Sequence, residues 1–528
     1  MKNRIRAARE ARAEKPYYKW VVLGTVVLSL LVILLDVTVV NVSIPKILTD
    51  FKTDLSNVQW VFNAYTLAFA ALLITFGRFG DMFGHKRMFM LGLTLFGIAS
   101  ALSGAAPSIE WLIGFRVLQG VAGAMMMPAT LSLMLQAFPP HQRGIALGFW
   151  GAMAGVAFAI GPVLGGFITD NFSWRWIFYI NIPVVLFALL MTTLFIHQNR
   201  DSLVAHKIDV PGFVTVTGGL LALTFALIEG QKYGWGSPVI VGLFVAAAIL
   251  LLLFVFIERR SPEPMIDIKL FKDRNFSIGS GIAALISFAM LGTFFLIPIF
   301  LQQVLDFSAT KTGLALTPMA LAMLVLAPNV GRLSDKHGTR IFLVAGLSII
   351  TGAMFWLSHL TLETTSASLV LPFIVFGVGA AMVMPVMVNA AMQNVPENQY
   401  GAGSGVLNTA RQLGGVFGIA IIGAIFSAQL AHHVPPALEA NKNLPPQVSK
   451  TVAEQFNGGE IKLSQQAPAE GSADPASAKR ISEELRKTID PEVVDSVNGT
   501  FRFAMIFAFI GAVLALFVKQ PKHLSTKD

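Results

Sequence analysis

The segment "GRFGDMFGHKR", residues 77–87, returns as "GRLSDKHGTR" at residues 331–340, 254 positions later (331 less 77). The order Gly77, Asp81, Gly84 reappears as Gly331, Asp335, Gly338. "GVAGAMMMP" at 120–128 likewise returns as "GVGAAMVMP" at 377–385. That offset of 257 also carries Pro139, Gln142, Gly144 and Gly148 onto Pro396, Gln399, Gly401 and Gly405. Several motifs in one order at a near-constant offset mark an internal repeat. The chain reads as two related halves.

Both halves are apolar. Of 528 residues, 54% are hydrophobic and 13% charged, and the mean hydropathy is +0.66. That balance excludes an ordinary soluble domain. Fourteen apolar windows of spanning length follow one another, six per half, with a pair centred near residues 221 and 247 between the halves. The expected fold is an all-α integral membrane protein. A basic tail covers 1–19, a six-helix half 20–198, connections with two extra spans 199–275, a second six-helix half 276–519 and a short tail 520–528.

Lys and Arg orient the spans. Lys2, Arg4, Arg6, Arg9, Arg12, Lys15 and Lys19 crowd the first tail, and Arg78, Lys86, Arg87, Arg259, Arg260, Arg332, Lys336 and Arg340 fall in connections on the same side. The opposite short connections hold Lys46, Lys52, Arg175, Lys232 and Lys311. Both termini are therefore expected in the cytoplasm. The net charge of +9 then reflects topology and contact with anionic lipid, and needs no nucleic-acid partner. The absence of cysteine excludes disulfides and thiolate metal sites. No small-residue cleavage site follows the first apolar run, which reads as a retained span.

Residues 428–499, between the last two spans, are polar and are expected outside the membrane as a long loop. Within it "VSKTVAEQF" and "SAKRISEELRKTI" are amphipathic, and predict a short helical hairpin beside the outer mouth rather than a separate domain. Adjacent His432 and His433 lack further ligands, so no metal is expected there; "NGT" at 498 matches a glycosylation acceptor by pattern alone.

The repeated segment has a physical reading. Gly77, Gly80 and Gly84 remove side chains where two helices and a tight turn approach, and Asp81 is suited to accept from backbone N–H groups at a neighbouring helix N-terminus. Arg78, Lys86 and Arg87, with Arg332 and Arg340 in the repeat, are left for carboxylates or lipid. The spacing predicts a conformational latch in each half, built on Gly331, Asp335 and Gly338 in the second.

Two charges lie deep in the first half. Asp36, in "LLDVTVVNVSIP", sits roughly 13 Å below the outer end of the first span, and Arg116, in "FRVLQG", roughly 9 Å below that of the fourth. A carboxylate at that depth costs at least about 2.5–3.5 kcal/mol. An arginine that approaches and withdraws would switch its proton affinity, so the pair is expected to load and discharge a proton. The repeat carries Asp36 onto Met290 and Arg116 onto Phe373, confining this chemistry to one half. Arg411, in the thirteenth span, is open to two readings: a contact to substrate or anion, or a local pair.

"GVAFAIGPVLGG" supplies Gly155, Gly161, Pro162, Gly165 and Gly166, which allow close helix approach and a kink. Asn41, Asn63, Tyr65, Gln119, Asn181, Asn389, Asn408 and Gln412 are polar within or beside apolar spans and are the substrate-cavity candidates, with Arg411. Methionines such as Met125 and Met384 offer deformable apolar surface.

Together with "FRVLQGVAGAMMMPAT" and "LNTARQLGGVFG", these motifs closely resemble the fourteen-spanner drug/proton antiporters, the EmrB/QacA branch of the major facilitator superfamily, from about residue 18 to 427 and over the final span. The resemblance implies the major facilitator fold, alternating access, latches that stabilise an outward-facing state, and an exporter-type motif over Gly155–Gly166. It implies proton-coupled efflux of amphipathic, cationic or lipophilic molecules from a bacterial cytoplasmic membrane. The protein is expected to act as a monomer, with a periplasmic adaptor if the cell is Gram-negative. Neither a cofactor nor an enzymatic reaction is expected, and no GxxxxGK[ST] loop points to ATP. The alternatives are a dedicated exporter of one lipid, peptide or metabolite, and a non-transporting sensor that kept the fold.

Overall fold

The computed structural model describes residues 17–197, 208–457 and 475–520. Most of the basic tail, part of the connection before the extra spans and the last eight residues lie outside this set. The first half comprises α1 (Tyr18–Phe51), α2 (Leu55–Phe83), α3 (His85–Gly104), α4 (Ile109–Ala137), α5 (Arg143–Asn171) and α6 (Asn181–Phe195). The extra pair is α7 (Val210–Tyr233) and α8 (Pro238–Glu258). The second half follows as α9 (Arg274–Ile299), α10 (Ala309–His337), α11 (Thr339–Leu357), α12 (Ser366–Met392), α13 (Tyr400–Ala440), α14 (Pro446–Asn457) and α15 (Pro475–Ala515). Among the described residues 13 helices are long and apolar enough to cross a membrane, and 14 when the bent α5 is counted as one span. The chain is a multi-pass helical membrane protein.

The halves meet along two equivalent seams. Helix α5 of the first half packs on α10 and α12 of the second, and α13 of the second packs on α2 and α4 of the first. The 257-residue offset maps these contacts onto each other, so the repeat is a repeat of interface as well as of fold. Helices α7 and α8 pair with one another, and α7 leans on α2 and α13.

The expected loop over 428–499 is largely helix continuous with the spans. Residues 428–440 prolong α13, and residues 475–499 form the start of α15, so "SAKRISEELRKTI" is no hairpin arm but one end of the last span. Only α14, which contains "VSKTVAEQF", stands as a separate short helix. The reason is a four-residue stripe: Leu430, Val434 and Leu438 on α13, Val452 and Phe456 on α14, and Leu485, Ile489, Val493 and Val497 on α15 are all buried. This shared core carries α13 through Pro435 and Pro436 and α15 through Pro491. Each 41-residue helix rises about 62 Å, twice the roughly 30 Å of a bilayer core, so its polar third projects beyond the membrane. Asn498 is buried in this cap; its Oδ1 accepts from Leu360 N at 3.0 Å and its Nδ2 donates to Leu360 O at 2.9 Å. The glycosylation pattern there is a chance match.

Candidate functional site: a buried ion pair between two helix seams

Asp36 and Arg116 meet. The fully buried Arg116 side chain forms an ion pair through Nη1 with Asp36, which is 2% exposed. The pair is held from several helices. Arg116 Nε donates to the Val61 carbonyl of α2 at 3.0 Å, and Nη1 donates to Gln119 Oε1 at 2.9 Å. Asp36 Oδ1 accepts from Gln119 Nε2 at 3.2 Å and from Asn181 Nδ2, on α6, at 3.3 Å. Asn181 Nδ2 also reaches Ser100 Oγ on α3 at 3.1 Å. The guanidinium lies 4.5 Å from the centroid of the Tyr65 ring. A hydrogen-bonded network of this kind offsets part of the cost of burying two charges. Arg116 Nη2 and the Tyr65 hydroxyl remain without partners.

Thus Tyr65, Gln119 and Asn181, expected to line a substrate cavity, surround the ion pair: Gln119 and Asn181 donate to the buried carboxylate, and the Tyr65 ring lies against the guanidinium. Beside Asp36 lies a cavity of about 100 Å³ lined by residues of α1, α5, the turn Trp176–Tyr179 and α6, including Val32, Leu164, Ile180 and Asn181. At about 30 Å³ each, it has room for a few waters.

Behind Asp36, the Gly155–Gly166 stretch of α5 forms the wall. A methyl group at Gly161 would overlap Thr38, and one at Gly165 would sit 3.0 Å from Val39 O, so α1 and α5 touch along the turn that carries Asp36. Thr38 Oγ1 lies 3.2 Å from the Ala157 carbonyl, one turn before Pro162. The opposite face of α5 meets the other half: Gly155 faces Met323 and Pro162 faces Gly313, both on α10. Gly166 is buried on the same helix. Helix α5 is therefore shared between the carboxylate and the seam.

The two Asp–Gly segments cap the seams. Asp81 Oδ1 accepts from Gly401 N at 2.7 Å and Oδ2 from Ala402 N at 2.8 Å, both in the first turn of α13. Asp335 Oδ2 accepts from Gly144 N, in the first turn of α5, at 2.9 Å. Each acid thus binds the positive end of a helix in the opposite half. A side chain on Gly77 would overlap the Gly401 carbonyl, and one on Gly331 the Gly144 carbonyl. Gly84 (φ 100°) and Gly338 (φ 89°) are single-residue junctions to α3 and α11, in backbone conformations that L side chains rarely adopt.

Several expectations need correcting here. Asn389 belongs to this seam: its Nδ2 donates to Asp335 Oδ1 at 3.0 Å, which satisfies the acid's second oxygen. Lys86 is buried and donates to the Ile196 carbonyl at the end of α6 at 2.7 Å, so it is not left free for carboxylates or lipid. Arg78 is buried, whereas Arg87, Arg332 and Arg340 are exposed. The side chain of Asn41 lies outside the described set. Asn408 Nδ2 turns back to Ser404 O at 2.9 Å, Gln412 is partly buried, and Arg411 faces Trp150 of α5 between the halves. The sequence does not identify Gly144, Gly401 and Ala402 as the backbone donors to these acids, though the repeat around Pro139 and Pro396 marks those turns; nothing in it singles out Ser100 or Trp150. Among the described residues no group of three or more His, Asp or Glu side chains is placed to hold a metal ion.

Comparison with known proteins adds to this geometry. The Major Facilitator Superfamily profile matches residues 26–209 and 210–419. The tetracenomycin C resistance and export protein of Streptomyces glaucescens is 30% identical over 95% of this chain and 92% of its own length. The multidrug export protein EmrB of Haemophilus influenzae is 33% identical over 79% of this chain and 84% of its own. Among solved structures, the human organic anion transporter MFSD10 (TETRAN) superposes with a TM-score of 0.60 over 94% of this chain and the whole of that one; at 13% identity the likeness speaks for the fold alone.

Proposed function

The chain belongs to the major facilitator superfamily, and we propose that it exports lipophilic, amphipathic small molecules in exchange for protons by alternating access. The observation that carries this reading is the buried Asp36–Arg116 pair beside a small cavity, in contact with α5, a helix that also forms one of the two seams between halves. Protonation of Asp36 weakens its hold on Arg116 and relaxes the packing of α1 on α5. Because α5 also packs on α10, that relaxation reaches the seam closed by Asp335. The two Asp-capped seams are the latches: together they hold shut the end of the bundle that carries most of the Lys and Arg, which leaves the opposite end to open. The charge distribution supports a reading in which that shut end, and both termini, face the cytoplasm, in keeping with a bacterial cytoplasmic membrane. One proton crossing 100 mV supplies about 2.3 kcal/mol before any pH gradient is added.

The test uses purified protein in proteoliposomes with an imposed pH gradient and a panel of lipophilic dyes and antibiotics. Wild-type protein should move at least one of them against its gradient and release protons as it does so. Asp36→Asn should insert and fold, and should lose gradient-driven transport by about a hundredfold or more, the scale of removing an essential proton carrier. Gradient-driven efflux by Asp36→Asn at the wild-type rate would remove this carboxylate from the coupling.

A further inference from the structure

A second arginine reaches the middle of the bundle, and its surroundings are the reverse of those of Arg116. Arg411 lies eleven residues into α13, about 16 Å from the start of that helix and so near the centre of a roughly 30 Å bilayer core. Its guanidinium sits 5.0 Å from the centroid of the Trp150 ring on α5. Nη1 reaches Asn408 Oδ1, on its own helix, at 3.3 Å, and Nε is buried without a partner. Among the described residues no carboxylate lies within ion-pair distance of it. An unpaired cation at this depth is costly and marks a ligand path by default.

The placement is that of a transport site. Arg411 belongs to the second half and Trp150 to the first, so the cation and the ring face each other between the halves at mid-depth, where sites in two-repeat transporters lie. Trp150 is fixed, buried and hydrogen-bonded through Nε1 to Thr130 Oγ1 at 3.3 Å. Beside Trp150 on α5, Gly151 and Gly155 pack against the buried Met384 and Met323 of the second half, which closes the wall behind the ring. A guanidinium without a carboxylate, set beside an aromatic ring, fits one ligand chemistry.

We propose that Arg411 and Trp150 form the recognition site for an organic anion, a single carboxylate or acidic phenol carried on a flat apolar body. The carboxylate would take the open N–H groups of Arg411, and the apolar body would stack on Trp150. This rests on the export reading and deepens it, setting an anionic substrate beside the cationic or lipophilic ones that the resemblance implies. Asn408 acts as a positioning residue that fixes the guanidinium until the anion arrives.

The test compares three probes with one aromatic body: 9-anthracenecarboxylate, its methyl ester and 9-(aminomethyl)anthracene. Binding to the full-length protein in detergent at pH 7.5 is read from tryptophan and anthracene fluorescence. The wild type should bind the carboxylate at least about tenfold more tightly than either relative, as expected of one charge-assisted contact. Arg411→Gln should lose that preference, and Arg411→Lys should keep part of it, since it retains the charge but not the planar fork. Equal affinity for the three probes in the wild type, or no binding of any, overturns the proposal. So does an undiminished preference in Arg411→Gln. That variant removes an unpaired buried charge, so its melting temperature should not fall below that of the wild type; if it fails to fold, the wild-type comparison still decides. The export reading fails separately, through an intact preference for the anion without gradient-driven transport of 9-anthracenecarboxylate in proteoliposomes.

Discussion

The two seams are built on one plan and finished differently. Both rest on backbone touching backbone, Gly77 with Gly401 and Gly331 with Gly144, and both are capped by an aspartate on a helix N-terminus. Beyond that the halves diverge. Asp81 commits both oxygens to α13 amides and has His85 Nε2 at 3.3 Å, whereas Asp335 gives one oxygen to α5 and the other to Asn389. Where the first half holds the Asp36–Arg116 pair, the repeat puts Met290 and Phe373, both buried and apolar. Contacts that need only a missing side chain survive in duplicate. Contacts that need a charge survive where a charge has work to do.

The most severe way to break this contrast is to disable the pair without removing its charge. Arg116 serves three acceptors at once, Asp36, Gln119 Oε1 and Val61 O. Lysine, a point charge on a flexible stem, cannot hold that geometry. Arg116→Lys should fold and insert, yet lose gradient-driven efflux by about tenfold to a hundredfold, with its pH profile displaced from that of the wild type. Wild-type rate and pH profile in this variant would mean that any cation suffices, and that the surrounding network serves only to pack the helices.

Much of this plan was legible in the chain. The repeat and apolar windows reveal the two halves, and the Gly–Asp–Gly spacing implies an acid on a helix N-terminus. Which helix it caps is harder to read, because the partner lies 320 residues from Asp81 (401 less 81) and the only mark is the repeated Pro–Gln–Gly turn. Asn389 was misplaced for a related reason: a polar residue in an apolar run announces that it has a partner, not which one. The outer segment was misread through its composition. Prolines and charges suggested a loop, while the stripe Leu430, Val434, Leu438 that keeps the helix going was visible at four-residue spacing. For Arg411 the sequence leaves two readings open, and the structure gives it a local hydrogen bond to Asn408 but, among the described residues, no carboxylate.

A milder test sharpens the comparison between the latches themselves. Asp81→Asn replaces one of two acceptor oxygens with an N–H₂ group aimed at a backbone N–H, and loses charge at a helix N-terminus. Asp335→Asn can keep its oxygen on Gly144 N and turn its new donor toward Asn389, whose amide can rotate to accept it. The first substitution should shift the closed-to-open equilibrium by about tenfold or more, the second by about threefold or less. Spin labels on cysteines at the exposed positions 87 and 340, one in each half of a chain without native cysteine, report that equilibrium as a distance distribution. Equal shifts would show that the backbone contacts close the seams and the acids merely decorate them.

The smallest effect concerns the cap, which belongs to the second half alone: α13, α14 and the projecting part of α15 pack together over its outer end. Asp490 lies in that projecting part, beyond the bilayer core. Burial pushes its carboxyl up from the usual range to about 6; the Arg486 guanidinium opposes the shift and Asp306 adds to it. Asp306, which follows the π-turn Phe300–Val304 at the end of α9, is bound through both oxygens by Arg486 at 2.5 and 3.2 Å. A carboxyl raised by folding favours the folded form when protonated, so its contribution is complete below the ordinary value near 4 and fades as pH rises through about 6. Amide exchange over residues 475–499, corrected for intrinsic rates, should therefore be a few-fold slower at pH 5 than at pH 7.5. Asp490→Asn, neutral throughout, should show the slower exchange at both pH values. Exchange that slows as pH rises, or a pH difference that survives in Asp490→Asn, would assign the titration to another group and leave the cap without a pH-sensitive hold on α9.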